Sequence, residues 1–257
     1  MAIMRYFIKR KNKGLKQAAF GSALIMVSAF ALFSTPASAQ DSKENKTPVS
    51  LKETKKETSK TDSGFTARKV FTDLQTSALE LLPKSTRLDM LDYWDVDSVY
   101  KASNVMEGLS WLENVTPDYL KVRITPVSVL EIKILPGKKG KFAMTVYTVG
   151  DDVQAQDSQI SFYDENLTLL PTDKYLEMPP LKYFFDIPKG SATKMQEIEE
   201  MIPFPTIAFN ASPDNDNLEA RLTVEKYINE DDWNIAKLFV KPYITLDWKK
   251  DKYRYSK

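Results

Sequence analysis

The chain has 257 residues, with 36 Lys and Arg against 35 Asp and Glu, no His and no Cys. Without those two residue types there is no Ser-His-Asp triad, no thiol nucleophile, no imidazole or thiolate zinc site and no disulfide. With only eight Gly, phosphate-cradling glycine loops are not expected either.

The charge is unevenly spread. Six of the 36 basic residues (Arg5, Lys9, Arg10, Lys11, Lys13, Lys16) and none of the 35 acids lie in residues 1–39, so the remainder carries a net charge of −5. An acidic chain is a poor partner for nucleic acid, which is bound through clustered Lys and Arg. Residues 1–39 read as a secretory leader: the basic start, an apolar run Ala18–Phe33, a helix-breaking Pro36, and Ala37-Ser38-Ala39 before Gln40. The apolar run is short of the ~20 residues a bilayer span needs. The expectation is therefore export to the periplasm or beyond with cleavage before Gln40. The mature chain should have no transmembrane segment and, lacking Cys, no lipid anchor. Residues 40–64 hold six Lys, five acids and few apolar groups, so they read as a disordered polar linker.

From Phe65 the pattern becomes that of a folded domain, taken as a single unit over 65–257. Ala67, Val70, Phe71, Leu74, Ala78, Leu81 and Leu82 fall at helical spacing, and Pro83 ends the run. Ser85 is the expected N-cap of a second helix through Leu88, Leu91 and Val99. After the turn Thr116-Pro117-Asp118, strands follow at 119–125, 129–135 and 141–149, then a hairpin at 159–163 and 167–170 around Asp164-Glu165-Asn166. Leu120, Val122 and Ile124 alternate with Lys121 and Arg123, and Leu130, Ile132 and Ile134 with Glu131 and Lys133. That two-residue period predicts an antiparallel sheet with one face in water, and the short loops predict a meander. A Pro-rich stretch (171–190), a helix at 191–202 capped by Ser191 or Thr193, strands at 206–210 and 218–226, a short helix at 231–239 and strands at 243–248 and 253–255 complete the chain. The expected fold class is α+β: an antiparallel meander sheet packed by N-terminal helices, with a second helix and strand section at the C-terminal end.

Several stretches together carry a family resemblance. They are Leu82-Pro83 with Arg87-Leu88-Asp89-Met90-Leu91-Asp92-Tyr93, Thr116-Pro117-Asp118-Tyr119-Leu120, and Ile160-Ser161-Phe162-Tyr163-Asp164 leading to Leu170-Pro171-Thr172-Asp173-Lys174-Tyr175-Leu176. The last runs from Ile202 through Ser212-Pro213-Asp214 and Leu218-Glu219-Ala220-Arg221-Leu222 to Lys241-Pro242 and Trp248. On these the chain resembles a family of exported bacterial α+β domains of unknown function, about 200 residues long. The glycine-rich stretch of that family after the second helix is reduced here to Gly108 in Met106-Glu107-Gly108-Leu109. The resemblance implies an envelope location and implies no activity, cofactor or catalytic residue.

The densest polar and aromatic group is Arg87, Asp89, Asp92, Tyr93 and Trp94. Arg and aromatic residues are typical binding anchors, which makes these five the candidate binding surface. The competing reading is a solvated helix face, with Leu88 and Leu91 turned to the core and the acids near the helix N-terminus. Asp151, Asp152, Asp164 and Glu165 are the acids on which a carboxylate-based hydrolase of envelope polysaccharide would rest, since paired carboxylates suffice for glycoside hydrolysis. Asp214, Asp216, Glu219 and Glu225 fail the calcium-loop pattern for want of Gly at its sixth position and read as a polar turn before a strand. The run Trp248-Lys249-Lys250-Asp251-Lys252-Tyr253-Arg254-Tyr255 reads either as an anion-binding stripe or as a hairpin whose rings pack and whose Lys protect a sheet edge. The functional expectation is a non-enzymatic binding module for an envelope protein or glycan, with no cofactor or metal. The polysaccharide hydrolase is the alternative.

Overall fold

A computed structural model describes residues 64–96, 100–151, 155–188 and 190–256. They belong to the unit Thr58–Lys257. The leader, its Gln40 boundary, the linker up to Ser63, Val99 and Asp152 lie outside the described residues.

Helix α1 (Ala67–Asp73) begins where the Thr66 hydroxyl accepts the Lys69 N–H at 3.3 Å. It stops at Leu74, earlier than the apolar spacing predicts. The Thr72 hydroxyl donates back to the Arg68 carbonyl at 2.9 Å, and Gln75-Thr76-Ser77 supplies polar side chains that compete with the backbone ladder. A short 3-10 turn, Ser77–Leu79, continues the chain. The predicted apolar residues still face inward, because Val70, Phe71, Leu74, Ala78 and Leu82 are all buried.

Helix α2 (Lys84–Asp95) starts behind Pro83 and not at Ser85, which falls inside the first turn. Proline's ring holds φ near the helical value, so it sets the entry direction without a side-chain cap. The inward residues are Arg87, Met90 and Leu91, whereas Leu88 is 44% exposed. Here the structure departs from the simple apolar stripe: an arginine takes the place on the inner face expected of Leu88.

Seven antiparallel strands follow: β1 (Ala102–Ser103), β2 (Leu109–Val115), β3 (Tyr119–Thr125), β4 (Ser128–Gly137), β5 (Gly140–Val149), β6 (Asp157–Tyr163) and β7 (Leu169–Leu170). Each pairs with the next in chain order, which is the expected meander. The turn between β1 and β2 is built by Asn104 in place of glycines. Its Oδ1 accepts the Met106 and Gly108 N–H groups at 3.0 and 3.1 Å, while its Nδ2 donates to Ser110 Oγ and the Ile124 carbonyl. Gly137, at the β4–β5 turn, has no room for a side chain, since a Cβ there would sit 2.4 Å from the Phe142 ring.

Short helix α3 (Thr172–Tyr175) and helix α4 (Ala192–Met201) lead into β8 (Ile207–Ala211) and β9 (Leu218–Leu222). Helix α5 (Glu230–Ala236), capped by Asn229, precedes β10 (Ile244–Trp248) and β11 (Tyr253–Tyr255). The last four strands form a second antiparallel sheet in the order β11-β10-β9-β8. The described residues are thus α+β, as expected.

The first sheet is covered on both faces. Leu120, Val122, Ile124, Leu130, Ile132 and Ile134 meet the N-terminal helices in one core. Tyr119, Leu135, Met144, Val146, Ile160 and Phe162 meet the second sheet and α4 in another. This corrects the expectation of one wet face: β8 lies across β4, β5 and β6, so Glu131 and Lys133 are 3% and 1% exposed. The alternation was real, but the polar side of it is roofed by strands from later in the chain.

Candidate functional site

The corner between α1 and α2 is organised by Arg87. Its Nη1 donates to the Phe71 carbonyl at 2.6 Å and to the Leu74 carbonyl at 2.9 Å. These are the C-terminal carbonyls of α1, which have no partner within their own helix and carry its negative dipole end. Burial lowers the Arg87 pKa, an effect that nearby Asp73 opposes. Asp73 itself is held by Lys69 at 2.8 Å and Lys84 at 2.7 Å, and these bonds, Lys69 first, depress its carboxyl. Arg68 grips Asp95 through two bonds, of 2.9 and 2.5 Å, which fastens the start of α1 to the end of α2.

An open depression of about 560 Å³ lies at this corner, between Leu74 and the first turn of α2. Gln75, Thr76, Ser77, Glu80, Lys84 and Arg87 supply its polar lining.

The five residues singled out from the sequence separate in space. Arg87 is 6% exposed and belongs to the floor of the corner. Asp89 and Asp92 are exposed and make no side-chain hydrogen bond or ion pair with another described residue. Tyr93 is 44% exposed and stacks on Tyr100, with ring centroids 4.2 Å apart. Trp94 is half-buried against the helix-side core. The outer face of α2 thus presents Asp89, Asp92 and one side of Tyr93, next to a depression that reaches Arg87.

A second polar group lies between the sheets, where the alternation alone suggested solvent. Glu131 Oε1 accepts the Tyr119 hydroxyl at 2.6 Å, and Oε2 accepts the Ala211 N–H of β8 at 3.1 Å. Burial raises the Glu131 pKa in spite of Tyr119, of Lys121 at 3.8 Å and of the Ala211 N–H. Lys133 donates to Asp118 at 2.7 Å. Burial pushes the Asp118 carboxyl up, but Lys133 and Thr116 together bring it below its ordinary value. The Tyr253 hydroxyl is buried with no partner, and its pKa is raised by burial and then by Asp216. Chemically this group joins layers: Glu131 uses one oxygen for its own sheet and one for the other.

Of the acids on which hydrolysis would rest, Asp164 and Glu165 have structural work. Asp164 Oδ1 accepts the Asn166 and Thr168 N–H groups at 2.9 Å, and Glu165 Oε1 accepts the Lys141 N–H at 2.8 Å. In the 212–217 turn, Ser212 Oγ accepts from Asp214 and Asn215, and Asn215 Oδ1 from Asn217. Among the described residues no three metal-ligating side chains converge. In the C-terminal hairpin the rings pack. Trp248 donates to the Pro136 carbonyl at 2.7 Å, Tyr253 is fully buried, and Tyr255 stacks on Tyr183 at 4.4 Å.

The family described as "Protein of unknown function (DUF3256)" matches residues 62–253. The chain belongs to this family. A domain of an uncharacterized protein from Porphyromonas gingivalis W83 has a similar structure, with a TM-score of 0.63 at 21% identity over 75% of this chain and 98% of that one. At that identity the likeness is one of fold. No curated protein matches the chain. The family assignment agrees with the resemblance carried by the motifs above, and its members are bacterial domains of this size and class. Among the described residues no helix is long and apolar enough to cross a membrane.

Proposed function

We propose that this member of the family is exported into the cell envelope, periplasmic or extracellular, and acts there as a non-enzymatic binding module for an envelope protein or glycan. The contact surface is the outer face of α2 with the depression beside it. One observation carries the reading: Asp89 and Asp92 stand exposed and, among the described residues, without side-chain partners, in line with a half-exposed Tyr93, along a helix whose inner face is firmly anchored. A rigid helix presenting aromatic and charged groups is a good recognition element, because little side-chain and backbone freedom is lost on contact. The leader sequence supports the location.

The test has two arms. N-terminal sequencing of the protein recovered from cells is expected to begin at Gln40, and an intact Met1 sinks the location. Purified protein is expected to bind envelope fractions saturably. The triple variant Asp89→Ala, Asp92→Ala, Tyr93→Ala, all at exposed positions, should lose at least about tenfold in affinity while staying folded, with a small fall in melting temperature from the lost Tyr93–Tyr100 stack. Binding that ignores the triple variant moves the contact surface elsewhere. Turnover of an envelope polysaccharide by the pure protein overturns the module in favour of a hydrolase.

A further inference from the structure

Two hairpin tips from different sheets meet. The β4–β5 tip carries Lys138, Lys139 and Lys141, and the β10–β11 tip carries Lys249, Lys250 and Lys252. Two bonds lock them side by side. The Lys138 N–H donates to Asp251 Oδ1 at 3.2 Å, and the Trp248 indole donates to the Pro136 carbonyl at 2.7 Å. Tertiary structure thus gathers six lysines from stretches 113 residues apart.

Most of these lysines do nothing for the fold. Lys249 pairs with Asp247 at 2.7 Å, and Lys252 donates to the Asp173 carbonyl at 3.2 Å. Lys138, Lys139, Lys141 and Lys250 are exposed, and their ammonium groups make no hydrogen bond or ion pair with another described residue. Lys138, Lys139 and Lys250 stand on turns, where no ladder runs, so guarding a sheet edge does not account for them. Lys250 is also strained. It and Asp251 are the central residues of a two-residue turn, with φ of 54° and 60°. Asn and Gly suit that backbone, and a lysine adopts it only against its preference.

The charge is layered. The tips hold six lysines and one acid, Asp251. Around them stand five acids (Asp164, Glu165, Asp173, Glu177, Asp247) and two more cations (Lys174, Arg254), so the neighbourhood has eight cations against six acids. Lysine stems are longer than those of Asp and Glu, and an approaching partner meets the ammonium groups first. The kind of partner follows from the residue type. Lysines are mobile point charges, without the planar fork with which arginine fixes one carboxylate or phosphate. The nearby rings are committed inward, since Trp248 and Tyr175 stack on buried Phe162. Charge spread over two adjacent turns suits a surface of many like charges.

We propose that the paired β4–β5 and β10–β11 tips are a docking surface for anionic lipid headgroups, which holds the domain against a membrane by electrostatic attraction. The inference uses no residue of α2 and relies on the export reading only for removal of the leader.

The test takes the protein recovered from cells and measures its cosedimentation with vesicles. Vesicles of phosphatidylcholine and phosphatidylglycerol in equal parts should bind it in low salt and release it at ~0.5 M salt, and phosphatidylcholine alone should not bind it. The pair Lys138→Gln, Lys139→Gln should weaken binding at least about tenfold, since each lysine contributes about fivefold. The control pair is Lys226→Gln, Lys237→Gln, exposed lysines that follow β9 and precede β10, away from the turn. It removes the same charge and should change binding by less than about twofold. Lys250→Asn should weaken binding about fivefold and keep or raise the melting temperature, a split that a merely structural lysine would not produce. In a sample that begins at Gln40, equal binding of the two vesicle types overturns the proposal. So does no binding to the anionic vesicles, or an equal loss in the tip and control pairs. Binding of soluble polygalacturonate that the tip pair abolishes, without binding of anionic vesicles, gives the tips to a glycan and also overturns it. In a sample that keeps Met1 the leader adds the same lipid affinity to every variant, and the difference between the tip and control pairs decides.

Discussion

The two faces of the seven-stranded sheet are covered in different ways. On the helix side, Val70, Phe71, Leu74, Leu82 and Met90 pack on a continuous aliphatic surface, and the one buried charge of the helices, Arg87, is turned away to serve the end of α1. On the second-sheet side, aromatic and aliphatic packing is interrupted by Glu131, Lys133 and Tyr119, and the layers are joined by directed hydrogen bonds. The helix side rests on area, which is tolerant of small shifts. The sheet side rests in part on atoms in fixed positions, which pin register but penalise any lost partner.

The largest expected effect tests the helix side. Phe71→Ala empties a fully buried ring site and should cost about 3–5 kcal/mol in chemical denaturation. A loss below about 1 kcal/mol would mean that α1 is not part of the cooperative core.

The next test separates the two modes of attachment. Glu131→Ala strands the Tyr119 hydroxyl and the Ala211 N–H and is expected to cost about 2–4 kcal/mol. Glu131→Gln keeps an acceptor for Ala211 and a donor that Tyr119 can accept, so it should stay within about 1 kcal/mol of the parent. The pH dependence sharpens this. The folded-state pKa of Glu131 is raised above its ordinary 4.5, so its contribution is fully present below the unfolded value and is lost as pH rises through the folded one. The Gln variant should therefore compare best with the parent at neutral pH and lose ground as pH falls toward 4.5. Asp73 and Asp118 run the other way, because their depressed values give stability above 3.8 that is lost as pH falls through the folded pKa. Melting temperatures of both variants between neutral and acid pH check the signs. An Ala variant as stable as the Gln variant would break the distinction between the two faces.

The smallest effect has the opposite sign. Tyr253→Phe removes a buried hydroxyl that has no partner and keeps the ring among Phe162 and Trp248. It should stabilise the protein by about 1 kcal/mol, read as a rise in melting temperature. A clear loss would show that the hydroxyl has a partner, such as a bound water.

Much of the architecture was legible in the residues. Alternation at 119–125, 129–135 and 141–149 located β3, β4 and β5, and short connections implied the meander because each loop is too short for a crossover. What lay beyond local pattern was the roof. Glu131 and Lys133 look solvent-facing from their own strand, and only the position of β8, some 80 residues later, makes them interior. A hint was present: the strands after 206 need an apolar face to cover, and Phe142, Met144 and Val146 offer one on that side of the sheet. The inward position of Arg87 lies beyond local pattern for a related reason. Helical spacing ranks apolar residues inward, but the carbonyls at the end of α1 call for a donor, and that demand comes from another element. The start of α2 and the β1–β2 turn depend on Pro83 and on the Asn104 side chain, both of which substitute one local device for the one expected.

The exposed edge that β8 would otherwise present is closed in an uncommon way. Its alternate N–H groups, on Ile207, Phe209 and Ala211, are received by Asp157 Oδ1 at 3.3 Å, Ser158 Oγ at 2.9 Å and Glu131 Oε2 at 3.1 Å. An unpaired strand edge is a template for pairing with a foreign chain, and here three side chains from the first sheet occupy it. The second sheet therefore has a sealed border only while it is docked on the first, in a chain that has no cysteine with which to staple them. Undocked, β8 would offer rival chains a bare edge, so the protection of that edge is a property of the finished fold.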